Sequence, residues 1–254
     1  MNVLQWIGEP ITDGGVTERR FNLVREGYVV PGILWLPAGL SYPHPLVLLG
    51  HGGSGHKRGA RQLDLGRWFA GEWSMAVASI DGPFHGDRRP EDQQRRDRHR
   101  HATMAGVDAV TDGMVDDWSA TVDTLSTLDV IDGSRVAYLG LSMGTRLGLP
   151  YAANAGQRLR CAVLGKYGLR QSPLTSAPID AAARVARDAP LIDVPVLFHV
   201  QWDDELFPRA GQLELFDRLG SSDKQLIAFP GTHRTTTPVA TRSWCEFVID
   251  HLTE

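Results

Sequence analysis

The chain has 254 residues, of which 42% are hydrophobic and 22% are charged, and its formal net charge is −4. This is the composition of an ordinary globular protein, and the nearly balanced charge gives no reason to expect a polyanionic partner such as nucleic acid. The two cysteines, Cys161 and Cys245, lie outside any Cys-x-x-Cys spacing, so we expect neither a disulfide framework nor a zinc site.

The sequence also gives no sign of a targeting or membrane segment. Residues 1–10 lack a basic stretch followed by an apolar run, and no segment approaches the roughly 18 uncharged apolar residues that cross a bilayer. We therefore expect a cytoplasmic protein without a membrane partner.

The predicted elements begin with a β-hairpin and continue as an alternation of strands and helices. Residues 21–36 are rich in β-branched and aromatic side chains and are interrupted by Glu26-Gly27, a turn signal. Short apolar runs typical of strands covered on both faces then follow, the last being the weakest: residues 45–49, 75–80, 135–141, 159–164, 194–200 and 225–229.

Stretches with helical spacing lie between these runs. The clearest places four apolar side chains on one face: Met114, Trp118, Val122 and Leu125. The other predicted helices are residues 61–70, 179–188, 210–219 and 239–252. Because strands alternate with helices and no repeat or linker intervenes, the sequence predicts one α/β domain over residues 1–254, built on a mainly parallel sheet.

One charged excursion interrupts the alternation. Residues 87–101 carry six arginines and four acidic residues with almost no apolar side chain. This pattern predicts a solvated loop or an exposed helix, and a lid or partner contact is the alternative. The acidic residues would oppose phosphate, which argues against a nucleic-acid patch.

A possible nucleophile lies in Gly140-Leu141-Ser142-Met143-Gly144, between a strand-like run and a helix-like stretch. In a G-x-S-x-G sequence the serine sits on a strained strand-to-helix turn, where side chains at the flanking positions would clash. Such a turn would lift the serine hydroxyl clear of the sheet. An ordinary turn at the end of a strand is the alternative.

A serine hydroxyl needs a base within hydrogen-bond reach and a third group that orients the base. His233 follows the last strand-like run and is the predicted base. Asp204, after the run at residues 194–200, is the predicted acid; its neighbour Asp203 is the rival, and spacing to Pro208 favours Asp204. The chain order Ser, Asp, His emerges without being imposed.

Other histidines compete for the role of base. His85 is the strongest rival, because residues 81–88 should reach the same sheet edge as the serine, although a structural role is favoured. His51 and His56 either line the site or support its loop. The others considered are better explained by packing or solvent: His99, His101, His199 and His251.

Residues 140–144, Asp204, His233 and the His-Gly-Gly at residues 51–53 resemble the α/β-hydrolase superfamily. The similarity covers nearly the whole chain, which resembles dienelactone-hydrolase-like and prolyl-oligopeptidase-like carboxylesterases; these share loops such as residues 81–88. The resemblance implies an α/β-hydrolase fold: an eight-stranded, mostly parallel sheet flanked by helices. It places the nucleophile after the fifth strand, the acid after the seventh and the histidine after the eighth.

The resemblance also implies an oxyanion hole made of backbone amides. One donor would be Met143, and the other Gly53, with Ser54 as the neighbouring possibility. The implied activity is that of a carboxylesterase-type serine hydrolase that forms an acyl-enzyme on Ser142. A small-molecule ester would be the substrate, with no cofactor and no metal.

Three positions depart from the family pattern. Thr145 replaces the glycine that often follows the motif, and Thr232 stands where a second glycine often precedes the histidine. Pro150 falls inside the helix expected after the nucleophile, where it removes a hydrogen bond, so this helix should be short or bent.

The segment between Ser142 and Asp204 spans about 60 residues and must contain a strand and a helix, which leaves no room for a large cap. Residues 167–189 are a candidate small lid. The predicted pocket residues are Ser54, Tyr167, Leu169, Leu174 and Trp202. An open site with an apolar wall favours small or medium esters as substrates. Thioesters, lactones and amides are alternative substrates, and ligand binding without catalysis is an alternative function. Peptidase action would normally need a larger gating domain.

Overall fold

The structure is a computed structural model that describes residues 2–39, 42–89, 105–173 and 180–253. In these residues nine strands form one sheet, in the order β1-β2-β3-β5-β4-β6-β7-β8-β9. The strands are β1 Val3–Asp13, β2 Val16–Arg25, β3 Tyr28–Pro37, β4 His44–Gly50, β5 Ala76–Ile80, β6 Ile131–Gly140, β7 Leu159–Gly165, β8 Val196–Gln201 and β9 Lys224–Phe229. Strands β1, β2, β3 and β5 pair antiparallel in that order, and the remaining pairs are parallel.

Helices cover both faces of this sheet. They are α1 Ala60–Trp73, α2 Val107–Leu125, α3 Met143–Asn154, α4 Ala182–Asp188, α5 Arg209–Arg218 and α6 Pro238–Thr253. Helices α1 and α6 pack Phe69 and Trp244 into the core on one face. Helices α2 to α5 build the core on the other face, where Trp118 of α2 is fully buried. Strands β5 and β8 are therefore buried along their whole length, as their apolar runs predict.

The predicted hairpin and the predicted α/β class are confirmed. Strands β2 and β3 are joined by Glu26 and Gly27, which have φ values of 50° and 84°. Two consecutive positive φ angles are typical of the tight turn that fits the right-handed twist of paired strands.

The predicted count of eight strands is wrong by one, because β1 was not recognised. This strand is on the edge of the sheet and mostly exposed, so it lacks the buried alternation that identifies a strand in sequence. It also contains Pro10, which is tolerated only where no neighbour needs the backbone N–H, and its register shifts between Ile7 and Ile11. The strands that carry the candidate site are consequently β6, β8 and β9.

Two predicted surface segments fall partly outside the described residues. Of the charged excursion at residues 87–101, only residues 87–89 are described, at the end of a 3₁₀ turn. Of the candidate lid at residues 167–189, residues 174–179 lie outside, including Leu174, and the helix within it is α4.

The helix after the candidate nucleophile is not cut short. Helix α3 continues past Pro150 to Asn154, whose side-chain amide donates to the Pro150 carbonyl. Only the hydrogen bond of one missing N–H is lost there. Within the described ranges, no helix is both long enough and apolar enough to cross a membrane.

Candidate active site

Ser142 lies at the junction of β6 and α3, with backbone angles φ 61° and ψ −118°. A positive φ is uncommon for a residue with a side chain and costs about 1–3 kcal/mol. The flanking glycines permit this turn, because a Cβ on Gly144 would lie 2.8 Å from the Gly50 carbonyl oxygen, and one on Gly140 would lie 2.6 Å from the Tyr138 hydroxyl. The structure thus has the strained turn that the motif predicts.

Strand β7 holds the turn from the side. The Ser142 amide donates to the Gly165 carbonyl at 2.9 Å. The buried hydroxyl of Thr145 accepts a hydrogen bond from the Gly165 amide at 2.7 Å, and lies 2.7 Å and 2.8 Å from the carbonyl oxygens of Gly165 and Gly140. The threonine that departs from the family pattern therefore ties the turn to β7, which a glycine could not do.

The structure brings the three predicted triad residues together at the carboxyl ends of β6, β8 and β9. The Ser142 Oγ is 2.9 Å from His233 Nε2, and His233 Nδ1 is 2.8 Å from Asp204 Oδ2. The Asp204 side chain is fully buried. Its second oxygen, Oδ1, accepts the backbone N–H groups of Leu206 at 2.8 Å and Phe207 at 2.9 Å. The carboxylate orientation is therefore fixed from two sides.

The acidic neighbours of Asp204 hold the histidine loop instead of the imidazole. Asp203 Oδ2 accepts the Gly231 amide at 3.0 Å, which supports a residue with φ 107°. Glu205 Oε2 accepts the His233 amide at 2.8 Å. Sequence reasoning named Asp203 only as a rival acid and missed Glu205, since nothing in a run of three acids shows which partner each one meets.

Sequence reasoning also missed Lys166, the residue that follows β7. Its buried ammonium donates to the carbonyl oxygens of His233 and Thr235 and to the Thr236 hydroxyl. A lysine directly after a buried apolar strand was the available signal. Burial lowers the pKa of the Lys166 ammonium to about 8, and nearby Arg61 adds to the effect.

The predicted oxyanion donors lie side by side. A Cβ on Gly53 would be 3.9 Å from the Met143 Cβ. Among the turn, loop and cap hydrogen bonds of the described residues, none uses the amide of Met143 or Gly53. Neither amide therefore has a backbone acceptor among those hydrogen bonds, as the predicted role requires. Ser54, the neighbouring possibility, is exposed on the same loop.

A buried ion pair joins the loop at residues 51–57 to the loop at residues 81–88. The Lys57 ammonium is 2.6 Å from Asp81 Oδ2, and the Lys57 amide donates to Asp81 Oδ1 at 2.8 Å. His85, the rival base, has Nε2 3.0 Å from the Gly53 carbonyl oxygen, so it lies against the loop that carries the donor. The two loops form one hydrogen-bonded unit beside the candidate nucleophile.

Two buried histidines are fixed as neutral tautomers. His51 Nε2 accepts the Gly82 amide at 2.8 Å, so its Nδ1–H donates to the Gly52 carbonyl at 2.9 Å. His199 Nδ1 accepts the Trp244 indole N–H at 3.1 Å. Burial lowers the pKa of His51 and the pKa of His199 each to about 4. A second proton on either imidazole ring would point at an N–H donor. Neither histidine is therefore placed to act as a base near neutral pH.

These two histidines should make the fold acid-sensitive. Between pH 6.5 and 4 each of these histidines is protonated in the unfolded chain but stays neutral in the folded chain. The free energy of unfolding therefore falls as the pH falls. With pKa values of about 4 against 6.5, each histidine should contribute a loss on the order of 2 kcal/mol between pH 7 and pH 5. Urea denaturation at the two pH values measures the loss, and His199→Gln should shrink it. An equal loss in the variant would contradict the assignment to His199.

Only some of the predicted pocket residues lie near His233. The Tyr167 ring is buried 4.6 Å from the Phe207 ring, which is itself 5.7 Å from the His233 ring. Trp202 is 46% exposed and stacks with the Arg209 guanidinium, 4.0 Å from its ring centre. Leu169 is partly buried against the core. Tyr167 is therefore one ring away from the candidate base, whereas Trp202 lies at the surface.

The described residues contain no group of three or more His, Cys, Asp or Glu side chains placed to hold a metal ion. Both cysteines are buried free thiols. Burial raises the pKa of the Cys161 thiol, and burial with the nearby Glu246 charge raises that of Cys245 to about 12. Neither thiol is suited to act as a nucleophile.

The sequence profile of the dienelactone hydrolase family matches residues 36–233, which include the serine turn, the acid and the histidine. The chain belongs to the dienelactone hydrolase family. It is accordingly a hydrolase with an α/β-hydrolase fold, and the resemblance predicted from its motifs is confirmed. Comparison with curated protein sequences gives no match.

Solved structures share the fold of this chain. A cold-adapted esterase from an Arctic intertidal metagenomic library is 32% identical, with a TM-score of 0.82 over 98% of this chain and 99% of that one. An acetyl xylan esterase from Paenibacillus sp. R4 is 16% identical, with a TM-score of 0.73 over 99% and 89%. An S-formylglutathione hydrolase from Agrobacterium tumefaciens is 13% identical, with a TM-score of 0.69 over 96% and 98%. The last two show the shared fold.

Proposed function

We propose that this family member is a serine hydrolase that cleaves a small or medium carboxylic ester, thioester or lactone through an acyl-enzyme on Ser142. The observation that carries the proposal is the unbroken chain of hydrogen bonds from the Ser142 hydroxyl through His233 to the buried Asp204 carboxylate. This arrangement supplies the base that a serine hydroxyl lacks at neutral pH.

The geometry supports a two-step reaction. His233 Nε2 takes the hydroxyl proton as Ser142 Oγ bonds to the carbonyl carbon, and the Asp204 carboxylate stabilises the imidazolium that forms. The carbonyl oxygen, now an oxyanion, accepts hydrogen bonds from the backbone amides of Met143 and Gly53. The imidazolium returns its proton to the leaving alcohol or thiol as the bond to it breaks. Water, activated by the same imidazole, then releases the acid and restores the hydroxyl.

Two further observations support an ester substrate. The relative with 32% identity over nearly the full length of both chains is described as an esterase. The partly exposed Phe207 ring lies beside His233 and is backed by the buried Tyr167 ring, which offers an apolar wall of limited extent to an acyl or alcohol group.

A fluorophosphonate probe tests the proposal without knowledge of the natural substrate. The wild-type protein should be labelled stoichiometrically, and peptide mass spectrometry should place the adduct on Ser142. Ser142→Ala should fold normally and take up no label. Ser126→Ala is the matched control, because Ser126 only bonds a carbonyl of its own helix, and it should label as the wild type does. Folded wild-type protein that resists labelling would instead indicate a ligand-binding role.

A further inference from the structure

Within the described residues, the polar contacts of the Lys166 side chain all lie on the loop that carries His233. The residue is 2% exposed. Its Nζ donates to the Thr235 carbonyl, to the Thr236 hydroxyl at 3.1 Å and to the His233 carbonyl at 3.3 Å. Three acceptors match the three N–H bonds of an ammonium, so the head group is satisfied, and no carboxylate of the described residues forms an ion pair with it.

The backbone of Lys166 is fixed to the other half of the site. Its amide donates to the His199 carbonyl at 2.9 Å, and the preceding Gly165 carbonyl accepts the Ser142 amide at 2.9 Å. Lys166 also has a φ of 47°, a left-handed conformation that is unfavourable for a residue with a side chain. The strained backbone turns at the point where β7 leaves the sheet, and the side chain spans from there to the histidine loop.

We propose that Lys166 is a positioning residue that holds the His233 loop at the position where Nε2 meets the Ser142 hydroxyl. The inference rests on the proposed serine hydrolase function. Lys166 links the strand that supports the nucleophile to the loop that supports the base, and so fixes the distance between them. A displacement of about 1 Å between reacting groups can lower a rate roughly 100-fold, which is the scale on which such a link matters.

The charges around Lys166 indicate that geometry is its contribution. Arg61 from α1 faces it and donates to the same Thr236 hydroxyl at 3.1 Å, while Asp204 and His199 approach from the side of β8. A cation here opposes the imidazolium that forms on His233, so its charge alone would slow the reaction. A buried ammonium is also costly to desolvate, and an apolar side chain of similar length would fill the same space.

Lys166→Met removes the three hydrogen bonds and keeps the volume. We expect the rate of fluorophosphonate labelling and kcat for p-nitrophenyl acetate to fall by roughly 100-fold, with KM changed less than about threefold. Lys224→Met is the matched control: Lys224 Nζ likewise caps three backbone carbonyls, those of Phe216, Asp217 and Leu219, at the end of α5. It should label at the wild-type rate. Equal labelling rates for folded wild type and Lys166→Met would overturn the proposal.

Two further measurements keep the test decisive. Should Lys166→Met fail to fold, Thr236→Val removes the acceptor that Lys166 shares with Arg61. Its labelling rate should fall at least about fivefold, the worth of one ordinary hydrogen bond, and an unchanged rate would overturn the proposal. The low-field proton NMR signal of the bond between His233 and Asp204 should shift or vanish in Lys166→Met and persist in Lys224→Met. This signal needs no turnover, so it separates the two proposals. If the wild-type protein takes up no label but Lys166→Met still changes the NMR signal, the proposed function is refuted and the positioning role of Lys166 stands.

Discussion

Asp204→Asn should lower kcat for ester hydrolysis by about 10⁴-fold, the scale of the corresponding change in serine proteases. The direction follows from the contacts of the carboxylate. Its Oδ1 accepts two backbone amides, so an asparagine must place its carbonyl oxygen there and turn its NH₂ toward His233. The NH₂ would donate to Nδ1 and force the imidazole proton onto Nε2, where it faces the Ser142 hydroxyl. That tautomer cannot accept the serine proton.

Asp203→Asn is the neighbouring control with the same chemical change. Asp203 only accepts the Gly231 amide, and an asparagine oxygen can do the same. Its kcat should stay within about threefold of the wild type, since a single surface hydrogen bond is modest. Steady-state rates with p-nitrophenyl acetate compare the two variants, and calorimetry checks that both are folded. Similar losses in both would mean that the acid has been assigned to the wrong residue.

The fold and the candidate triad were readable from sequence because their signals are local. A strained serine turn needs glycines at both flanks, and buried parallel strands need continuous apolar runs, so each is visible in a few adjacent residues. Strand β1 was missed for the same reason, because an exposed edge strand carries no such run. The assignments of Ser142, Asp204 and His233 remain predictions, now with a geometry that labelling and kinetics can test.

The supporting contacts were not predictable, because they join residues far apart in the chain. Lys57 meets Asp81 across 24 positions, and Lys166 meets Thr236 across 70. A lysine in a loop has many possible partners, and only the packing of the loops selects one. Thr145 shows the limit most directly: in the sequence it is only a departure from the family pattern, yet its hydroxyl bonds both strands at the serine turn.

Asp81→Asn should destabilise the fold by about 3 kcal/mol, the low end for a broken buried pair, and slow labelling of the serine as well. The substitution removes the buried one of the two carboxylates that contact the Lys57 ammonium. The other, Asp87 Oδ2 at 2.7 Å, belongs to an exposed side chain and compensates the buried charge only in part. For a domain of this size, the melting temperature should fall by roughly 6–12 °C. The same carboxylate accepts the Lys57 and Asp87 amides, and an asparagine can accept only one of them, so the anchor of the loop bearing Gly53 is weakened. Labelling should slow about 100-fold, the usual effect of losing one oxyanion donor.

The double variant separates the ion pair from the loop geometry. Lys57→Met alone leaves the Asp81 carboxylate buried without its cation, whereas Lys57→Met with Asp81→Asn leaves no net buried charge. The sum of the two single losses of stability should therefore exceed the loss in the double variant. The difference, which is the coupling energy of the pair, should be about 1–3 kcal/mol. The exposed pair Arg158 and Asp123 is the control, and Asp123→Asn should cost under about 1 kcal/mol. Additive losses at Lys57 and Asp81 would show that the pair contributes nothing as a pair, and that the backbone hydrogen bonds to Asp81 alone hold the loop.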